Sequence, residues 1–236
     1  MNVILEKAVC GKFPGAMAGI TIAQDFSSPN LDEISDFQKR AVEKAKASFN
    51  IETISQHPRM KPWRDAYKTF GIDPSKNKPS AEALVRRAIK NGALPSINPP
   101  VDFYNAFSVW TGFPSGGEDL DKVKGDVLVK VADGTERFTP LGGGEVEHPK
   151  PGEVVYADSS GEVMTRTWNW REGDLTKITE ATQKAVLGFD CLPPTSSNEA
   201  ISALEIFDAK LHECFPNCVA KHKLLTDDDN SFEVIF

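Results

Sequence analysis

Chemistry in this chain has to rest on amides, carboxylates and indoles. Its four histidines, His57, His148, His212 and His222, stand apart from any serine or cysteine they could activate. Asn105 lies in the aromatic run VDFYNAFSVW, among Tyr104, Phe107 and Trp110. A buried amide without a partner costs about 1–3 kcal/mol, so it bonds either a backbone carbonyl or a ligand, to which it offers a donor and an acceptor. Ser115-Gly116-Gly117-Glu118-Asp119 follows and reads as a Gly-rich, exposed acidic turn, the kind of segment that places polar groups at a pocket rim. Glu118 there is a base, though a weak one if solvated, or the partner of a lysine or a helix end. Arg166, Trp168 and Trp170 recur at period two and share one face of a strand. Two tryptophans make that face core. Arg166 between them then needs an acid partner or an opening to solvent, and an arginine beside tryptophan suits recognition of a base or an aromatic amino acid.

Two other groupings carry less. His212, Cys214, Cys218 and His222 fall within eleven residues, but structural zinc sites favour two-residue spacing between cysteines or ligands from separated segments. No metal is expected there, and the segment reads as a helix end and a loop. Gly142-Gly143-Gly144 lacks the Lys-Ser/Thr and the strand-to-helix context of a phosphate loop and reads as a β-turn. No cofactor is expected.

The net charge of -7 argues against a polyanionic partner until its distribution is seen. Between positions 57 and 92 nine basic residues face three acidic ones, a local excess of +6 that leaves -13 elsewhere. Arg59, Lys61, Arg64, Lys78, Arg86, Arg87 and Lys90 are the candidate RNA contacts in this zone, the alternative being solvated helix faces. With 40% hydrophobic and 26% charged residues the chain has the composition of a packed protein. Glu6 and Lys7 interrupt the short apolar start, no stretch approaches a membrane span, and Cys10, Cys191, Cys214 and Cys218 form no disulfide framework. The expectation is a cytoplasmic protein with reduced thiols and no membrane or DNA partner.

The elements that must position these residues follow from periodicity. A strand is expected over 15–24, ended by Ser27-Ser28-Pro29-Asn30. Ile34, Phe37, Gln38, Ala41, Val42, Ala45 and Phe49 then recur at helical spacing. A helix over 57–70 turns Trp63, Tyr67 and Phe70 inward, Ser80 caps the next, and Pro100 or Asp102 begins the aromatic helix. From Asp126 short strand-like runs alternate with Asp-Gly, Pro-Gly and Ser-Gly turns, the last pair of runs being 163–170 and 186–189. Ser196 and Glu199 form a capping box for a C-terminal helix with Ile201, Leu204, Phe207 and Leu211 toward the core. Strands in succession, without helices between them, predict an α+β chain with a mixed sheet core, organised as one domain over 1–236. Its parts are an N-terminal strand and helices over 1–78, a core over 79–190, and a C-terminal helix and tail over 191–236.

Over about 79–190 the ordered segments VDFYNAFSVWTGFP, GEDLDKVKGD, GDVLVKVADGTERF, PGEVVYAD, TRTWNWR and ITEATQ resemble the B3/B4 domain of the bacterial phenylalanyl-tRNA synthetase beta chain. They are more similar still to free-standing proteins built from that domain alone. The resemblance implies a β-sandwich-like core with flanking helices, contact with the 3′ end of a tRNA or an aminoacyl-tRNA, and hydrolysis of a wrongly attached amino acid, chiefly tyrosine. It does not imply a full tRNA ligase. It places Asn105 in the pocket, and together with the residues read above the candidate substrate contacts are Ser115, Gly116, Gly117, Arg166, Trp168, Trp170, Thr182 and Asp190. Two departures stand out. Gly116 occupies the position of the family's pocket histidine, as glycine does in free-standing relatives, and Gly188 falls where the family has the acid that reads the tyrosine hydroxyl, with Asp190 two residues on. Hydrolysis here would use a positioned water on an already activated ester. A noncatalytic tRNA-binding or RNA-binding module and an amino-acid-binding pocket protein are the other readings that the residues leave open.

Overall fold

The structure, a computed structural model, describes residues 1–235. In chain order the elements are β1 (Asn2–Leu5), α1 (Lys7–Lys12), β2 (Met17–Gln24), α2 (Leu31–Ser48), α3 (Lys61–Thr69), α4 (Ser80–Asn91), α5 (Pro99–Thr111) and β3 (Ser115–Asp119). There follow β4 (Val127–Val131), β5 (Val154–Asp158), β6 (Val163–Arg166), β7 (Arg171–Glu172), β8 (Lys184–Cys191), α6 (Ser197–Cys214), β9 (Val219–Leu225) and β10 (Ser231–Glu233). The class is α+β, with a six-stranded sheet in the order β10-β1-β4-β5-β6-β7 and a four-stranded one in the order β3-β8-β2-β9. β1 runs parallel to β4 and the other pairs are antiparallel, so the core is mixed as expected.

The central strands β2 and β8 of the four-stranded sheet are buried on both faces, whereas its edge strand β9 is largely exposed. In β8, Ala185, Leu187, Phe189 and Cys191 pack toward the helices with Phe37, Phe103, Phe107 and Phe207. Across β2, Ala18, Ile20 and Ile22 meet Val127, Val129 and Val154 of the six-stranded sheet, together with Trp63 and Tyr67 of α3. α5 is buried nearly all round, which is why its apolar residues show no single stripe.

Several local expectations match the molecule. α2 buries Ile34, Phe37, Ala41, Val42 and Ala45, with the Asn30 side chain accepting from Glu33 N at its start. The Ser196–Glu199 capping box is made in both directions. Others need correction. The expected 57–70 helix is shorter, α3 starting at Lys61 with Pro62 in its first turn, and a 3-10 turn over Ile54–Gln56 precedes it. α5 begins at Pro99, one residue before Pro100 and three before Asp102, and Asn98 caps it, its Oδ1 accepting from Val101 N at 3.1 Å. Ile201 faces solvent, and Ala200 and Ala203 take its place on the core side. The C-terminal loop is instead the edge strand β9, and β1, α1 and β10 have no counterpart in the sequence reading. All four cysteines are buried free thiols. No helix is long and apolar enough to cross a membrane among the described residues.

Candidate functional site

The segment Ser115–Asp119 is an edge strand, not an exposed turn. β3 pairs with β8, setting Gly116 opposite Gly188 and Glu118 opposite Val186. The glycines differ in what they do. A Cβ on Gly117 would lie 2.4 Å from Leu187 Cδ2 and 2.9 Å from the Val186 carbonyl oxygen, whereas one on Gly116 would meet nothing within 4 Å. Gly117 therefore permits close strand packing, and Gly116 leaves open space. Gly117→Ala is expected to cost about 1–3 kcal/mol by overpacking, and Gly116→Ala less than about 0.5 kcal/mol. Equal melting temperatures for the two variants would contradict this packing.

The open space is a cavity of about 1110 Å³ walled by α4, α5, β3, β8 and the β6–β7 turn. Asn105 reaches it from α5. Its amide makes no hydrogen bond among the described residues, so the internal carbonyl link that could have occupied it is absent there. Two polar atoms on lining residues are out of solvent and unpartnered, Ser80 Oγ and Asn169 Nδ2, whereas Trp168 is spent on Asp190 and Glu172 on Glu118. Ser80 caps nothing, since Pro79 holds the cap position of α4. Unsatisfied buried groups are rare in folded proteins, and polar groups without partners on a cavity wall are of the kind that a ligand can satisfy.

Glu118 is 4% exposed, which corrects the picture of a solvated carboxylate. Thr165 Oγ1 donates to its Oε1 at 3.0 Å and Thr176 Oγ1 to its Oε2 at 2.7 Å. Burial pushes its pKa up to about 7 against the pull of hydrogen bonds from Thr176, Glu172 and Thr165. The Glu172 carboxyl, brought alongside by the β6–β7 pairing of Thr165 with Glu172, is raised well above its ordinary value by burial and then by the Glu118 charge. The two form a buried carboxyl pair in which Glu172 is the member pushed furthest toward its protonated form. Asp190, on the same cavity, accepts from the Tyr156 hydroxyl at 2.7 Å and is raised to about 7 by burial, which outweighs the hydrogen bonds from Tyr156 and Trp168.

Ser115, Gly116, Gly117, Glu118, Asn105, Trp168, Trp170 and Asp190 thus share one cavity. Arg166 and Thr182 do not. The strand expected over 163–170 ends at Arg166, and Thr167 (φ 53) and Trp168 (φ 63) turn the chain through the left-handed region, which breaks the period-two face. Arg166 is held by Glu147 and by the fully buried Glu153. Thr182 Oγ1 donates to Asp119 Oδ2 at 2.8 Å and is spent on the β3 end. Trp168 is a core residue at the cavity floor, edge-on to Trp63 and Phe13.

The basic zone also divides. Arg64 and Arg86 both bind the buried Glu82, at 2.9 and 2.8 Å, and Lys61 pairs with Asp65. Lys78 donates to the Ser75 carbonyl, and Arg59 lies elsewhere, against Glu199 and Phe113. Arg87 is exposed and lines the cavity, with Lys90 exposed one turn of α4 away; neither has an ion pair among the described residues. Glu172, Glu153 and Tyr156 were not singled out in the sequence. The one signal toward Glu153 was Arg166, a cation in an apolar run that required an acid. No group of three or more metal-binding side chains is gathered among the described residues.

Comparison with known proteins gives three findings. The model of the B3/4 domain matches residues 62–212, well over half of the chain. The phenylalanine–tRNA ligase beta subunit of Shewanella oneidensis is 22% identical over 189 residues, 79% of this chain, which spans 22% of that protein's length. Among solved structures, an N-terminal fragment of the phenylalanyl-tRNA synthetase beta subunit from Pyrococcus horikoshii is similar at a TM-score of 0.47 and 14% identity, over 94% of this chain and 49% of that one.

Proposed function

The chain belongs to the B3/4 domain family, and from that premise we propose that it takes the aminoacylated 3′ end of a tRNA into this cavity and hydrolyses the ester of a mismatched amino acid. The observation that carries the reading is the Glu118–Glu172 carboxyl pair, on the same cavity as the unpartnered Asn105 amide. The cavity is at the upper end of the size that ligand pockets reach. In this reading a water attacks the ester carbonyl carbon and gives its proton to Glu118. The Asn105 amide donates to the carbonyl oxygen as negative charge builds there. The carbon–oxygen bond to the ribose breaks, and Glu172 protonates the departing oxygen. The proton on Glu118 then returns to Glu172 through their shared hydrogen bond. A base with a pKa near 7 suits this work at neutral pH. Arg87 and Lys90 at the mouth would meet the RNA backbone.

Binding without hydrolysis is favoured by a different observation. Both Glu118 oxygens already accept from threonines, and no histidine lines the cavity. A deacylation screen over a panel of mischarged tRNAs separates the two. Hydrolysis of at least one is expected, with Asn105→Ala lowering the rate and barely moving the melting temperature. Tight tRNA binding without turnover of any ester would leave the binding module. A steep loss of stability with unchanged activity per folded molecule would make Asn105 structural.

A further inference from the structure

A second cavity, of about 520 Å³, opens where the C-terminal end of α5 meets α2 and the first turns of α6. One step of the chain separates it from the first, since Phe113 lines this cavity and Pro114 the other. Two cations face it. The Lys44 ammonium lies 4.1 Å from the centroid of the Trp110 ring, and the Arg59 guanidinium 4.0 Å from that of Phe113. A ring face holds a cation in place without neutralising it.

Counter-charge is scarce. Lys44 has no ion pair among the described residues. Arg59 has one, 3.4 Å long, to Glu199 Oε1, while Glu199 Oε2 is committed to the backbone and hydroxyl of Ser196. Arg59 Nη1 is out of solvent with no partner. His57 accepts the Arg59 backbone N–H on Nδ1 at 3.2 Å, which puts the proton of the neutral ring on Nε2. Burial, and then the Arg59 charge, hold both the His57 ring and the Lys44 ammonium below their ordinary pKa. Two cations on one cavity wall, with a single acid paired to one of them, are relieved by an anion.

We propose that this cavity is a phosphate-binding site in which a phosphate group bridges Lys44 and Arg59. The assignment does not depend on hydrolysis in the first cavity. Calorimetric titration of the full chain with inorganic phosphate, and separately with AMP, tests it on the wild type, Lys44→Ala and Lys44→Arg. Lys44 is exposed on α2, so its removal leaves the fold in place. Phosphate is expected to bind the wild type, at least tenfold more weakly to Lys44→Ala, and near wild-type strength to Lys44→Arg. Equal Lys44-dependent affinities for phosphate and AMP would assign a site for the anion alone, and tighter AMP a site for a nucleotide phosphate. Absence of binding by both probes, or binding that Lys44→Ala leaves unchanged, overturns the proposal.

Discussion

Glu118→Gln is expected to slow hydrolysis of a mischarged aminoacyl-tRNA by about 10²–10⁴-fold, the usual contribution of a positioned acid or base. The amide has the same shape as the carboxyl and can keep both threonine hydroxyls satisfied, since a hydroxyl donates or accepts. The pH dependence gives the variant a second signature. The wild-type rate should rise as Glu118 loses its proton through about pH 7, and this limb should vanish in the variant. Stability should move the opposite way. A carboxyl with a pKa of about 4.3 in the unfolded chain and about 7 in the folded one contributes stability that is full below the lower value. That contribution is lost as pH rises through the higher value. Melting temperature is therefore expected to fall between about pH 4 and 7, less steeply in Glu118→Gln. Some slope remains because Asp190, also raised to about 7, and Glu172, raised by burial, act with the same sign. An unchanged rate and an unchanged pH profile would remove Glu118 from the chemistry.

Glu153→Ala is the largest expected stability change, a loss of about 3–5 kcal/mol in denaturant unfolding. Glu153 is fully buried and accepts from Arg166 Nε at 3.1 Å, from Thr167 N at 2.9 Å and from Thr167 Oγ1 at 2.8 Å. Its other oxygen accepts from Lys150 N. Without it the Arg166 guanidinium keeps only Glu147, and two buried donors on Thr167 lose their acceptor. Thr167 and Trp168 sit at positive φ, a conformation that costs about 1–3 kcal/mol per residue and persists only where the surroundings impose it. Glu153 is the acid that imposes it. Since the same turn carries Trp168, Asn169 and Trp170 to the cavity, ligand binding should weaken along with stability. A loss below about 1 kcal/mol would mean that the turn is held by its packing alone.

This turn also marks where the sequence stops being legible. Alternation of Arg166, Trp168 and Trp170 describes a strand only if the backbone stays extended, and neither Thr167 nor Trp168, the two residues at positive φ, is of a type that advertises a left-handed turn. Its cause is Glu153, thirteen positions upstream of Arg166. Ser115–Asp119 misled for a related reason. Two glycines and two acids are turn formers by composition, but Gly117 is small to admit Leu187, and Glu118 is buried against two threonines from later in the chain. Where the determinant was local the reading held, as in the 3.6-residue period of α2 and the capping box of α6. Asn105 was conspicuous because an amide among aromatic residues needs a partner. Glu172 was not, because nothing in its neighbourhood distinguishes it until β7 lays it beside Glu118. Charge counting located the basic zone but could not say that Arg64 and Arg86 are spent on Glu82.

Whether the cavity receives an aminoacylated adenosine is tested most directly by titration with a hydrolysis-resistant 3′-aminoacylamino-adenosine on the wild type and Gly116→Val. Saturable binding to the wild type is predicted. It should be lost in Gly116→Val, whose side chain enters the open space beside β3 while the melting temperature stays close to that of the wild type. A wild type that does not bind the analogue, or a Gly116→Val variant that binds it equally well, would contradict the account.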